Sequence, residues 1–194
     1  ISKRMGNILL EKPKAWGGKD IMQSVGIVVD EYYNCKRGQE PDEICVDAIG
    51  MGTAFAGRLA EALRGEPVKI TRVNVALTGQ QVGERYTSRR VELWARGRLW
   101  FESMLCRIPE GCSTLIAQLS SVEWEVKDSN GKWALIDKKA SGSSPDEADS
   151  FLLTFGGTKG DKSVFTKKKT KDIIGRGNGA QEFGITSASY LQRR

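Results

Sequence analysis

Between Glu43 and Val75 the chain reads as strand, helix, strand, and this unit restricts the fold more than any other stretch. Ile44-Cys45-Val46 is an apolar run too short for a helix, flanked by Glu43 and Asp47. It reads as a strand buried on both faces. Gly50-Met51-Gly52 turns the chain. Thr53 is placed to cap a helix marked by Phe55, Leu59 and Leu63, which stops at Gly65. Val68 to Val75 is the next strand. Two strands joined through a helix lie parallel and are linked by a right-handed crossover. An α/β sheet with helices on its faces follows.

The flanking sequence extends this sheet. Ile1 to Lys12 reads as a hairpin turning at Met5-Gly6-Asn7. A helix from Asp20 to about Asn34 carries the stripe Ile21, Val25, Val28, Val29 and Tyr32. Beyond a polar loop at Thr78 to Gly83, a long helix spans about Tyr86 to Met104. Its inward residues are Val91, Leu93, Trp94, Leu99 and Trp100, and Arg89, Arg90, Arg96 and Arg98 surround them. A short helix, Ser113 to Leu119, leads into a hairpin. There Val122, Trp124 and Val126 alternate against Trp133 and Leu135 across Ser129-Asn130-Gly131. A last helix opens at Ser144-Pro145 with core face Ala148, Leu152 and Phe155, and Gly156-Gly157 ends it.

Composition removes several chemistries. The 194 residues contain no histidine, which excludes Ser-His-Asp and Cys-His catalysis and most catalytic zinc sites. Cys35, Cys45, Cys106 and Cys112 have no C-x-x-C spacing and read as reduced thiols. No apolar stretch is long enough to cross a membrane. A chain of this length suits one α/β domain with a tail, here 1–157 and 158–194. It starts without Met inside a strand, and so reads as a fragment. The net charge of +6 sits wholly in Lys159 to Arg194, with 9 basic and 3 acidic residues. A neutral body with a basic, flexible tail suggests a polyanionic partner.

With histidine gone, hydrolysis falls to carboxylates and metal ions. Asp146 and Asp149 stand at i and i+3, which sets both on one helical face. Ser144 and Glu147 form a capping box, Pro145 suits the first helical position, and Asp146 complements the helix dipole. Capping therefore accounts for Asp146 as well as chemistry does. Asp149 lies further in, beside a core face, where an acid needs a partner. It is read as functional. Asp47 ends the most apolar strand, at the edge where open α/β sheets gather their ligands. An acid there, facing a pair on a helix, builds an oxygen-rich site for a divalent ion.

Other features are less specific. Gly50-Met51-Gly52 fails the dinucleotide fingerprint, because the third glycine would fall at Phe55. The loop still brings a helix N-terminus near any phosphate. Arg85, Arg89 and Arg90 cluster at one helix start. Lys138 and Lys139 precede the aspartate helix, and Lys167, Lys168 and Lys169 lie in the tail. All are candidate DNA contacts. Trp124 and Trp133 read as a packed cross-strand pair rather than as base-stacking platforms.

Taken together, Ile44 to Gly52, Tyr86 to Trp94 and Ser144 to Ser150, the last followed by Phe151-Leu152-Leu153-Thr154-Phe155, resemble the nuclease domain of a tailed-phage large terminase subunit. The resemblance runs from about Ile8 to Phe155. It implies an RNase H-like mixed sheet flanked by helices, with an inserted β-hairpin and a basic C-terminal tail. It also implies an endonuclease that cuts concatemeric double-stranded DNA around packaging, in the host cytoplasm. Two Mg²⁺ or Mn²⁺ ions, about 3.5–4 Å apart in such sites, would be held by Asp47, Asp149 and Asp146. A further acid is expected on a first strand upstream of Ile1. No G-x-x-x-x-G-K-[ST] occurs, so the ATPase motor is expected upstream in a longer protein. The portal and the small terminase subunit are the implied partners. Two rival readings are an inert RNase H-like docking module for DNA or the portal, and a RuvC-like junction resolvase.

Overall fold

The computed structural model describes residues 1–78, 84–127, 129, 131–136 and 145–157. All of them belong to one compact unit, Ile1–Gly160. Two short strands, β1 (Arg4–Met5) and β2 (Ile8–Leu9), form the first hairpin, with Gly6 at φ 55° in its turn. Helix α1 (Ile21–Tyr33) follows, opened by a capping box between Asp20 and Gln23. Then come β3 (Glu43–Asp47), α2 (Met51–Ala62) and β4 (Lys69–Val73). Strands β3 and β4 are parallel, from Glu43 opposite Lys69 to Asp47 opposite Val73. Helix α3 (Arg89–Glu102) and helix α4 (Ser113–Ser120) precede a second hairpin, β5 (Glu123–Val126) with β6 (Trp133–Ile136). Helix α5 (Asp146–Leu153) closes the described chain.

The side-chain period of two along β3 divides the interior into two cores. Ile44 and Val46 point to one face and join Ile70 with α1 and α2, around Val25, Val28, Ala56, Leu59 and Leu63. Cys45 points to the opposite face, where Val73, Leu93, Trp94, Trp100, Phe151 and Phe155 pack. Asp47 shares the parity of Cys45 and so lies on the α3–α5 side. That second core is aromatic, with Phe151 edge-on to Trp100 and to Phe155 at centroid distances of 5.4 and 5.3 Å. Helices α3 and α5 approach closely because residue 97 is glycine: a Cβ there would run into Leu152.

The mixed α/β architecture is as expected, its strands forming three two-stranded pieces among the described residues, while several details are corrected. Bridges tie Ile8 to Arg107 and Tyr86 to Trp133. Strand β3 is fully buried only at Val46, its other positions being half-covered. Helix α2 starts at Met51 with Gly50 as its cap, because Gly50 takes φ 57° and redirects the chain early. Thr53 instead donates its hydroxyl to the Ala48 carbonyl at 2.8 Å. Helix α3 starts at Arg89 rather than Tyr86, since Tyr86 is drawn into pairing with the hairpin. Leu99 is exposed, on the solvent side of α3.

The aromatic pair Trp124 and Trp133 packs edge to face at 6.1 Å, as the alternation required. Ser144, Asn130, the loop at 79–83, the approach at 138–144 and the whole basic tail lie outside the described residues.

Candidate functional site

Asp47 is the last residue of β3, half-buried, with the loop behind it built around its backbone. The Asp47 carboxylate accepts from Ile49 N at 3.1 Å, and Ala48 N donates to Val73 O at 2.9 Å, closing the strand end. Gly52 lies so close to the Asp47 carbonyl that any Cβ would strike it. The Gly50-Met51-Gly52 motif is thus a device for starting α2 tightly against β3. Burial pushes the Asp47 carboxyl above the usual aspartate range, and the Ile49 bond pulls against that.

Helix α5 places its acids in one turn. Pro145 occupies the cap position rather than the first helical one and offers no side-chain bond. Asp146, Glu147 and Asp149 all fall in the first turn, so Asp149 does not lie past the dipole's reach as the sequence implied. Gln118 of α4 accepts from Ala148 N at 2.9 Å, satisfying one open amide of the turn. Ala148 faces the core with no exposure, and Asp149 beside it is half-buried, while Asp146 is exposed.

Helix α3 brings Arg90 to this turn. Arg90 N donates to Val75 O, two residues beyond β4, at 3.0 Å. Its guanidinium Nε stands 3.7 Å from Asp149 Oδ1. Val75 follows the end of β4 that pairs with Asp47, so Asp149 is tied through Arg90 to the chain leaving that strand end. Burial is the largest influence on Asp149 and raises its pKa. Arg90 opposes the rise, Asp146 adds to it by repulsion, and the Trp94 N–H pulls it down. That indole N–H is buried and has no partner at full hydrogen-bond geometry among the described residues. The Asp146 repulsion is the electrostatic mark of two acids on one helical face.

The remaining candidates divide. Arg89 is held by Glu92 at 2.6 Å. Glu92 is the buried acid of α3, and Arg96 grips its other oxygen at 2.6 Å while donating to Phe155 O at 2.8 Å. Sequence reasoning missed Glu92, although its i+4 spacing to Arg96 and i−3 spacing to Arg89 were legible. Arg85 is exposed, its carbonyl accepting from Trp133 N at 2.8 Å, which joins the arginine loop to the second hairpin. Lys138, Lys139, Lys167, Lys168 and Lys169 lie outside the described residues.

Among the described residues no three Cys, Asp or Glu side chains converge tightly enough to hold one ion. The donor set nevertheless fits a hard divalent ion in kind. Asp146 and Asp149 offer carboxylate oxygens from one helical turn, and Asp47 offers another at the end of β3.

Several solved structures are similar to this chain. The nuclease domain of the large terminase subunit gp2 of bacterial virus Sf6, as a point mutant with manganese and β-thujaplicinol, superposes with TM-score 0.61 at 15% identity, over 78% of this chain and 79% of that one. A point mutant of the same subunit's gp2c with calcium gives 0.61 over 78% and 79%, again at 15% identity. The unmutated domain gives 0.58 at 15% identity, over 78% and 79%. This chain has the RNase H-like fold of a terminase nuclease domain. No family model and no curated protein matches it. None of the helices among the described residues is long and apolar enough to cross a membrane.

Proposed function

We propose that this chain is a metal-dependent DNA endonuclease, the cutting domain of a viral packaging terminase. The observation that carries the reading is the α5 turn. It carries two carboxylates in one helical turn, one of them tied through Arg90 to the chain leaving a parallel strand pair that ends in a third, within a fold shared with terminase nuclease domains. Asp149 and Asp146 would hold a Mg²⁺ or Mn²⁺ ion, and Asp47 would complete the site for two. Such ions supply an activated water and neutralise charge developing on the scissile phosphate.

The chain's own residues do the rest. Burial around Asp47 and Asp149 strengthens every local charge interaction. The exposed Arg85 and the basic segment 158–194 would neutralise flanking phosphates, so cutting would be largely indifferent to sequence and sensitive to salt. Concatemeric double-stranded DNA is the proposed substrate, with the portal and small terminase subunit as partners. Plasmid nicking with Mn²⁺, Mg²⁺ or EDTA, wild type beside Asp149→Asn, tests this. Metal-dependent nicking lost in the variant is the expected result, and full activity in the variant would sink the assignment.

The absence of a three-carboxylate cluster among the described residues favours one second reading, an inert docking module. DNA binding that survives EDTA, with no cutting under any metal, would select it.

A further inference from the structure

We propose that Arg90 and Trp94 are positioning residues that clamp Asp149 and preset its carboxylate for the ion. The inference rests on the nuclease reading and adds to it a role for α3. Arg90 and Trp94 stand at i and i+4, so both look out from one face of α3, toward the first turn of α5.

The two contacts are complementary. Arg90 Nε lies 3.7 Å from Asp149 Oδ1, an ion pair too long to be a closed hydrogen bond. Trp94 is 4% exposed, and its indole N–H has no acceptor at full geometry among the described residues. A buried donor left open is destabilising, so it is retained where something fills it in a working state. The carboxylate of Asp149 is the acceptor at hand. Closing the Trp94 bond beside the Arg90 pair would fix the carboxylate and leave lone pairs on it for an ion.

The platform is rigid enough for this. Gly97 lets α3 press on Leu152 of α5, Arg90 N is tied to Val75 O, and Arg96 ties α3 to Phe155 O at 2.8 Å. Partners behind metal-ligating groups fix ligand orientation in this way. On this view Arg90 serves the carboxylate, not the DNA phosphates.

The first test is a Mg²⁺ titration of the whole 194-residue chain by ¹⁵N NMR, with Trp94→Phe identifying the indole resonance. The Asp149 amide and the Trp94 indole N–H should move together, with one midpoint. Movement at Asp149 with Trp94 unmoved would overturn the clamp alone. Stillness at both would overturn the clamp and the nuclease reading together. The second test compares nicking by Arg90→Gln, Arg90→Lys and wild type across Mg²⁺ and salt. The clamp requires the half-saturating Mg²⁺ concentration to rise roughly 10–100-fold in Arg90→Gln, with partial rescue by lysine and an unchanged salt dependence. An unchanged metal requirement with a shallower salt dependence would make Arg90 a phosphate contact and end the proposal.

Discussion

The two faces of the β3–β4 pair share one backbone and differ in what they bury. On the α1–α2 face, Val25, Val28, Val46, Ala56, Leu59 and Leu63 form an aliphatic core with no charged member. On the α3–α5 face, an aromatic core is interrupted by Glu92, held by two arginines, and bordered by the half-buried Asp47 and Asp149. A carboxylate in such a place is disfavoured as an ion, and the raised pKa values of Asp47 and Asp149 record that cost. One face is a packed apolar core. The other keeps ionisable groups at a cost to stability, and that difference supports the proposed site.

The contrast breaks most visibly under Asp149→Asn. Nicking should fall at least roughly 10²-fold, the scale seen when one preorganised charge interaction is lost from an active site. Stability should not fall with it. A carboxylate whose folded pKa is raised binds its proton more tightly in the native state. Its stabilising share is therefore full at low pH and lost as pH rises through the raised value. Removing the charge should leave the melting temperature at pH 7 equal to or above that of wild type. The gap should close as pH falls into the carboxylate range. Thermal melts at pH 4 and pH 7 check both halves, and a melting temperature well below wild type at pH 7 would contradict the argument.

Leu59→Ala is the opposite case. It opens a cavity in the aliphatic core and should cost about 3 kcal/mol, with the residual folded protein cutting at wild-type rates. Calorimetry beside a nicking assay on protein held well below its melting point would separate the two effects. Glu92→Gln tests the intermediate case. It removes the charge shared by Arg89 and Arg96 and should cost about 2 kcal/mol, less than a fully buried pair, because both guanidinium groups keep contact with water. Denaturant midpoints measure it.

The smallest effect is chemical. Cys45 lies on the α3–α5 face with its thiol pushed up to about 11, chiefly by burial and next by Glu43. Alkylation at pH 8 should mark Cys45 far more slowly than an unfolded control. Labelling at the unfolded rate would show that this face opens readily.

Some of this was legible before any coordinates. The hairpin at Met5-Gly6-Asn7, α1 and its apolar stripe, β3, α4 and the core face of α5 all follow from periodicity and turn chemistry, which are local. The acid pair on α5 was legible because i,i+3 is also a local relation. The start of α2 was misjudged, since what decides it is the approach of Gly52 to the Asp47 carbonyl, a contact between elements. Leu99 was assigned inward because helical period alone cannot tell which side of a long helix lacks a neighbour. Phe151, wholly buried, was passed over because the sequence does not say how wide a face α5 must cover.

What the sequence alone determined is the order of elements and the βαβ core, and the absence of histidine turned the search for a site toward carboxylates. Each depends on composition or on spacing within one segment. Tertiary structure decided which charges meet. The pairing of Arg90 with Asp149, the Trp94 N–H that interacts with the same carboxylate and the bond from Arg90 N to Val75 O join residues far apart in sequence or on different elements. No periodicity encodes such contacts. They arise because α3 is anchored beyond β4, and because a glycine at 97 lets α3 and α5 pack closely.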